Sequence, residues 1–274
     1  MLKPDTAPSN KGILNAESGM RSFSLSRLLP GQDLAPYIEH LWILRWDLRG
    51  QAPHSQTVLS FPSIQLAFER TGQRIETFLY GVPDTTFTRV LEGEGQVLGV
   101  KFRIGGFYPF WNQPVSSLTN QVIPFREIFG SGPGMLEERL FSEAKEEEQA
   151  WIAWEFLRER LPEPDGNVEL VNRIVAAIIG DREMVRVEDI VSLFGINKRT
   201  LQRLFSRYVG VSPKWVIQRY RLQEAAELME KGSVTDWTRL SQDLGYYDQA
   251  HFIKDFKTMI GQPPEEYVRN VRHR

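Results

Sequence analysis

The polar and apolar positions of this 274-residue chain change rhythm about halfway along. In the first half they alternate. Over residues 38–48 the order Ile-Glu-His-Leu-Trp-Ile-Leu-Arg-Trp-Asp-Leu is rich in aromatic and branched side chains, and a period of two puts Trp42, Leu44, Trp46 and Leu48 on one strand face. Residues 64–69, 75–80 and 96–102 predict further strands, separated by Pro, Gly and Asp turn signals. Gly105-Gly106 ends the last of them. Residues 127–161 then take helical spacing through Leu136, Leu140, Trp151, Trp154, Phe156 and Leu157, with Glu146-Glu147-Glu148 read as a solvated face. That helix either forms a dimer contact or packs on the sheet. Leu161-Pro-Glu-Pro-Asp-Gly-Asn167 carries two prolines and a Gly-Asn pair, and reads as an interdomain linker.

Past the linker the period is helical throughout. Val168, Val171, Ile174, Val175 and Ile178 form an apolar stripe that ends near Gly180. Residues 187–194 predict the first helix of a helix-turn-helix, with Gly195 at the turn, where a Cβ would be penalised. Asn197 is the expected cap of the next helix, which runs to about Tyr208. There Leu201, Leu204 and Phe205 point inward, while Lys198, Arg199, Gln202, Arg203 and Arg207 stay outside. Gly210-Val-Ser-Pro213 stops it and starts another, with Ser212 as cap and Pro213 first in the helix. A helix over 213–230 is about 27 Å long at 1.5 Å per residue, comparable with the ~34 Å between successive major grooves on one face of B-DNA. A second unit follows: a helix over 237–244, Gly245, then a helix over 248–259. The latter turns Phe252 and Phe256 inward and Gln249, Ala250, Ile253, Lys254 and Lys257 outward. A short helix over 264–271 closes the chain.

The two units repeat one another. Leu201, Arg203, Phe205, Gly210 and Pro213 return 51 residues later as Phe252, Lys254, Phe256, Gly261 and Pro264. A helix, a glycine turn, a basic helix and a glycine stop, occurring twice, predict two helices for two successive major grooves.

The same residues carry a resemblance. Phe194-Gly-Ile-Asn-Lys-Arg-Thr-Leu-Gln-Arg-Leu-Phe205, Gly210-Val-Ser-Pro213, Leu244-Gly-Tyr-Tyr-Asp-Gln-Ala-His-Phe252, Phe256-Lys257 and Gly261-Gln-Pro-Pro-Glu-Glu-Tyr267 are similar to the AraC/XylS-type DNA-binding domain over residues 168–271. The resemblance implies seven helices with two helix-turn-helix units, whose recognition helices read bases in adjacent major grooves. Carried over, the base-reading positions are Arg199, Gln202 and Arg203, then Gln249, Ala250 and Lys254. Arg suits guanine and Gln adenine, each good bidentate pair giving ~1–3 kcal/mol of discrimination. Lys198, Arg207 and Lys257 suit phosphates, which set register without reading sequence. Ala250 has no polar group and Lys254 makes only a point contact, so the second helix is expected to be the weaker reader. Ala35-Pro-Tyr-Ile-Glu-His-Leu-Trp42 and Val97-Leu-Gly-Val-Lys-Phe-Arg-Ile-Gly-Gly106 resemble a domain of unknown function that precedes this DNA-binding domain in many bacterial regulators. In those relatives the segment over 59–63 usually carries Pro-Asp-Gly. Here it is Leu-Ser-Phe-Pro-Ser.

Charge sharpens the division. The whole chain is close to neutral at −2, but residues 167–274 hold 17 Lys+Arg against 14 Asp+Glu, leaving 16 against 21 in residues 1–166. A half at +3 beside a half at −5 fits a nucleic-acid-facing C-terminal part. The chain has no cysteine, which removes disulfides, zinc fingers and thiol nucleophiles and fits a reducing cytoplasm. Its four histidines (40, 54, 251 and 273) show no paired spacing, so no metal site is expected. Gly93-Glu-Gly95 with Gly99 has the glycine spacing of a dinucleotide loop but opens a strand rather than a helix, so the phosphate argument fails. No apolar run is long enough to span a bilayer.

The fold class expected is α+β. Residues 1–20 are read as a disordered leader, 21–160 as a small mixed α/β or β-rich sensor or dimerisation domain, 161–167 as the linker and 168–274 as an all-α DNA-binding domain. Tyr37, Trp42, Trp46, Phe102 and Tyr108 are either ordinary core or the lining of an effector pocket. The function expected is a cytoplasmic, sequence-specific regulator of transcription, not an enzyme and without a cofactor. Its partners are double-stranded promoter DNA and an unknown small-molecule effector, with RNA polymerase and a second copy of the chain as further candidates and no membrane. Two rival readings stay open: a constitutive or architectural DNA-binding protein, and a catalytic N-terminal half merely targeted by the reader.

Overall fold

Side-chain alternation builds the N-terminal half of the computed structural model, which describes residues 22–58, 61–130, 133–232, 234 and 236–272. The expected leader, His273 and part of the 59–63 segment lie outside them. Six strands form one antiparallel sheet in the order β1 (Ser24–Leu28), β2 (Ile38–Asp47), β7 (Glu94–Phe102), β4 (Gln65–Thr71), β5 (Arg74–Tyr80) and β8 (Val122–Pro124). A separate antiparallel pair joins β3 (His54–Val58) to β6 (Phe87–Leu91). β2, β4, β5 and β7 are the strands the alternation predicts. β1, β3, β6 and β8 have three to five residues each, and β6 is mostly exposed without a clean period. Short strands at the margins bury too little to leave a sequence signal.

The two sheet faces meet different partners. Leu41, Ile43, Leu66, Phe68, Leu98 and Val100 point into the main core. Their neighbours Trp46, Ala67 and Val97 point the other way, into a smaller cluster with Phe23 and with Leu91 of β6, and Trp42 and Leu44 pack against its edge. This is the face that alternation assigns to Trp42, Leu44 and Trp46.

Residues 125–158 form three helices rather than one: α2 (Phe125–Phe129), α3 (Pro133–Ser142) and α4 (Glu146–Arg158). They follow α1 (Tyr108–Trp111) and a 3-10 helix (Val115–Leu118). Gly130, at φ 77°, ends α2, and α4 restarts from an extended Lys145. Phe125, Leu140, Trp154, Phe156 and Leu157 pack into the main core. Of the three glutamates read as solvated, Glu147 and Glu148 are exposed. Glu146 turns to the sheet, accepts from Ser26 Oγ at 2.5 Å and lies 3.8 Å from the Arg45 guanidinium.

The C-terminal half is α5 (Gly166–Gly180), α6 (Val187–Phe194), α7 (Lys198–Tyr208), α8 (Pro213–Glu230), α9 (Trp237–Asp243), α10 (Gln249–Ile260) and α11 (Pro264–Arg272). The protein is thus an α+β chain with a sheet-rich N-terminal and a helical C-terminal region. Its buried clusters do not divide at the proline-rich segment. The main core runs from Leu34 through Val171, Ile174 and Phe205 to Ile217, in the second turn of α8. A second cluster, from Leu222 to Tyr267, holds the second helix-turn-helix, with Phe61 of the N-terminal half packed on it.

Candidate functional site

Local chemistry positions both candidate reading helices. α6 ends at Gly195, φ 62°, and the Asn197 side chain accepts the Thr200 N–H at 2.8 Å to cap α7. α9 is followed by Gly245, φ 77°, and Asp248 accepts the His251 N–H at 2.8 Å to cap α10. The glycines stand 50 residues apart and the caps 51, so the second turn is one residue longer. Ser212 caps α8, with Pro213 in its first turn, and this single helix joins the two units.

On α7 the residues Leu201, Leu204, Phe205 and Tyr208 are buried. Arg199, Gln202 and Arg203 are exposed, and their spacing of three and four places them on one face, with Ser206 continuing the stripe. Lys198 is exposed and its ammonium meets Glu188 at 2.7 Å. Arg207 is held by the N-terminal half: its Nε donates to Tyr108 Oη at 2.5 Å and its guanidinium lies 4.8 Å from the Tyr108 ring. Ser206 donates to Ser116 Oγ at 3.2 Å, and Thr119 donates to the Gly210 carbonyl at 2.8 Å. The 3-10 helix and its flank therefore sit against the last turn of α7.

On α10, Phe252 and Phe256 are buried, while Ala250, Ile253, Lys254 and Lys257 are exposed and Gln249 is half-buried. Counting from the caps brings Ala250, Ile253 and Lys254 to the places of Arg199, Gln202 and Arg203. Ile253, which the expected reading set of Gln249, Ala250 and Lys254 does not include, thus takes the place of Gln202. Tyr247, next to the cap, is 95% exposed.

The five aromatics divide. Tyr37 and Phe102 are buried in the main core, and Tyr108 is buried there with its ring 4.2 Å from that of Tyr208. Trp46 is buried between the two sheets and donates to the Glu92 carbonyl at 3.1 Å. Trp42 alone of the five lines a cavity of about 1450 Å³. The cavity is bounded by the face of the large sheet that carries Trp42 and Leu44, by β3 and β6, by α5 through Asn172 and Ile179, and by α8 through Tyr220 and Gln223. Trp42 Nε1 donates to Gln65 Oε1 at 3.0 Å. In the same wall Glu39 takes the Lys101 ammonium at 2.9 Å and lies 3.4 Å from His40 Nδ1. Burial pushes the Glu39 carboxyl up, but His40 and Lys101 outweigh it and hold it at about 2. The Ser63 hydroxyl, buried in this wall, has no hydrogen-bond partner among the described residues. No sequence pattern names Glu39, Ser63 or Lys101, because only the pairing of β2, β4 and β7 brings them together.

Among the described residues no helix is long and apolar enough to cross a membrane, and no group of three His, Cys, Asp or Glu could hold a metal.

Known families and proteins resemble two parts of this chain. Residues 190–270 match a family described as a helix-turn-helix domain, and residues 26–124 a domain of unknown function, DUF6597. An uncharacterized HTH-type transcriptional regulator of Haemophilus influenzae is 31% identical over 85 residues, 31% of this chain and 28% of that protein. A putative AraC-like transcription regulator of Streptomyces lividans is 26% identical over 84 residues, 31% of this chain and 27% of that one. This chain thus spans less than a third of the length of either relative. The solved structure of a probable AraC family transcriptional regulator from Rhodopseudomonas palustris has 28% identity, covers 38% of this chain and 97% of its own, and superposes with a TM-score of 0.34. Residues 26–124 thus match the DUF6597 domain and residues 190–270 a helix-turn-helix domain, and over the latter part the chain is similar to transcription regulators of the HTH and AraC-like types.

Proposed function

We propose that a small molecule in the cavity controls how this regulator binds promoter DNA. Arg199, Gln202 and Arg203 read bases in one major groove, and Gln249, Ala250 and Lys254 face the next. Lys198 and Lys257 serve phosphates, as does Arg207 once released from Tyr108. The observation that carries the control is the shared wall: Tyr220 and Gln223 lie on the one helix that joins the two readers, and both face the cavity. A ligand there touches the element that sets reader spacing, and so favours one arrangement over another by its differential contacts. A second copy of the chain and RNA polymerase are the further partners this reading calls for.

The test measures promoter affinity of the full chain across a metabolite library. Wild type should shift its affinity with at least one compound. Ala176→Trp, which fills the cavity from an exposed position on α5, should bind DNA normally and lose the shift. A wild-type affinity unmoved by the whole library would favour constitutive binding instead.

A further inference from the structure

The second reading helix is chemically unlike the first, and in register with it. Both caps are side chains accepting the third N–H of their helix, so Asn197 and Asp248 align, and the positions two, five and six residues beyond them correspond. In α7 these are Arg199, Gln202 and Arg203. In α10 they are Ala250, Ile253 and Lys254, all exposed. Two polar readers are thus replaced by two apolar ones. Tyr247 adds a fully presented ring beside the same helix start, where recognition helices meet base edges.

Single exposed apolar residues are ordinary on protein surfaces. Here three cluster on the reading side of one helix, flanked by the exposed cations Lys254 and Lys257, which suit a polyanion better than an apolar protein partner. In the major groove the apolar feature that distinguishes base pairs is the 5-methyl group of thymine, which Ala and other small apolar side chains contact. Gln249, at the first turn, suits the adenine of such a pair.

We propose that the second helix-turn-helix reads thymine 5-methyl groups through Ala250 and Ile253, flanked by Tyr247, so that its half-site is specified by A·T pairs. The first half-site is specified by the polar edges that Arg199, Gln202 and Arg203 can reach. This rests on α7 and α10 being DNA readers, and it departs from the expectation that the second helix is the weaker reader. Ala250 discriminates because it is apolar.

The test begins with selection of sites from random duplex DNA by the full chain, at fixed salt, in parallel with Ile253→Gln. The half-site whose preference changes in the variant is the one α10 reads. Each thymine of that half is then replaced by deoxyuridine, which removes only the methyl. Wild type should lose about fourfold in affinity per contacted methyl, the equivalent of one buried methylene. Ile253→Ala should lose affinity for the thymine site and show no further loss at one deoxyuridine position, which a general folding defect would not produce. A 5-methylcytosine at that position, paired with guanine, should recover part of the loss. Unchanged affinity on deoxyuridine substitution throughout the half-site, or a half-site of G·C pairs, would overturn the proposal while leaving DNA reading intact. Enrichment of no sequence at all would overturn the DNA-reading function itself and this inference with it.

Discussion

At the scale of single residues, two glycines explain where two tryptophans lie. Trp42 pairs with Gly99 and Trp46 with Gly95 across β2 and β7. A Cβ on Gly99 would come within 2.1 Å of the Trp42 ring, and one on Gly95 within 2.2 Å of the Trp46 ring. Each indole therefore lies across a bare backbone, filling space that a strand glycine leaves empty. This also accounts for two of the three glycines whose spacing resembles a dinucleotide loop: Gly95 and Gly99 serve rings, and Gly93 takes a positive φ of 60° at the turn before β7. Gly99→Ala should cost about 1–3 kcal/mol, since the added methyl must push the Trp42 ring aside. Chemical denaturation monitored by tryptophan fluorescence would measure it, and an unchanged midpoint would show that the ring moves freely. The displaced indole should also alter the cavity floor, so any effector response is expected to weaken in the same variant.

At the scale of elements, the helical half follows from rules that act within a few residues. Asn197 and Asp248 satisfy N–H groups that no preceding turn can reach, and Gly195 and Gly245 take positive φ at the turns. Asn197→Ala should therefore lower the unfolding free energy by about 1 kcal/mol, with Asn197→Asp restoring most of it. Equal stability of the alanine variant and wild type would mean that tertiary packing alone holds the start of α7. The same local logic explains why residues 127–161 were harder to divide. Apolar periodicity marks the buried faces of α3 and α4 except at Trp151, which is 55% exposed, and their breaks depend on Gly130 and on an extended Lys145. Short strands such as β6 were not legible for a related reason. Thr88 and Arg89 are polar or exposed, so there is no alternation to detect.

At the scale of the molecule, the N-terminal half grips both readers. The contact with the first runs through Tyr108 and Arg207 and through the 3-10 helix at Ser116 and Thr119. Towards the second, Phe61 packs on the outer cluster, with the Lys101 ammonium 4.4 Å and the Arg219 guanidinium 4.6 Å from its ring. Arg219 is fully buried, and desolvation brings its guanidinium down to about 10. These contacts make the grip on Arg207 a measurable quantity. Tyr108→Phe keeps the ring and removes the acceptor of the Arg207 hydrogen bond, so Arg207 should become free for phosphate. DNA affinity is expected to rise and the salt dependence to steepen by about one ion. Arg207→Ala should erase the difference between wild type and Tyr108→Phe. A salt slope identical in wild type and Tyr108→Phe would show that Arg207 does not reach DNA.

The paired helix-turn-helix, its caps and glycine turns and the inward faces of α7 and α10 are legible in the residue order alone, because each depends on neighbours three or four residues away. The residue order also determined that Trp42, Leu44 and Trp46 share a strand face, since alternation requires it. What covers that face was a tertiary decision. Trp42 lines a cavity while Tyr37, Phe102 and Tyr108 are core, and the difference lies in which strand pairs with β2 and which helices close over the sheet. The Glu39–Lys101 pair and the Tyr108–Arg207 contact join residues 62 and 99 positions apart. No local period carries such a pairing, because it arises only when the whole chain buries its apolar faces together.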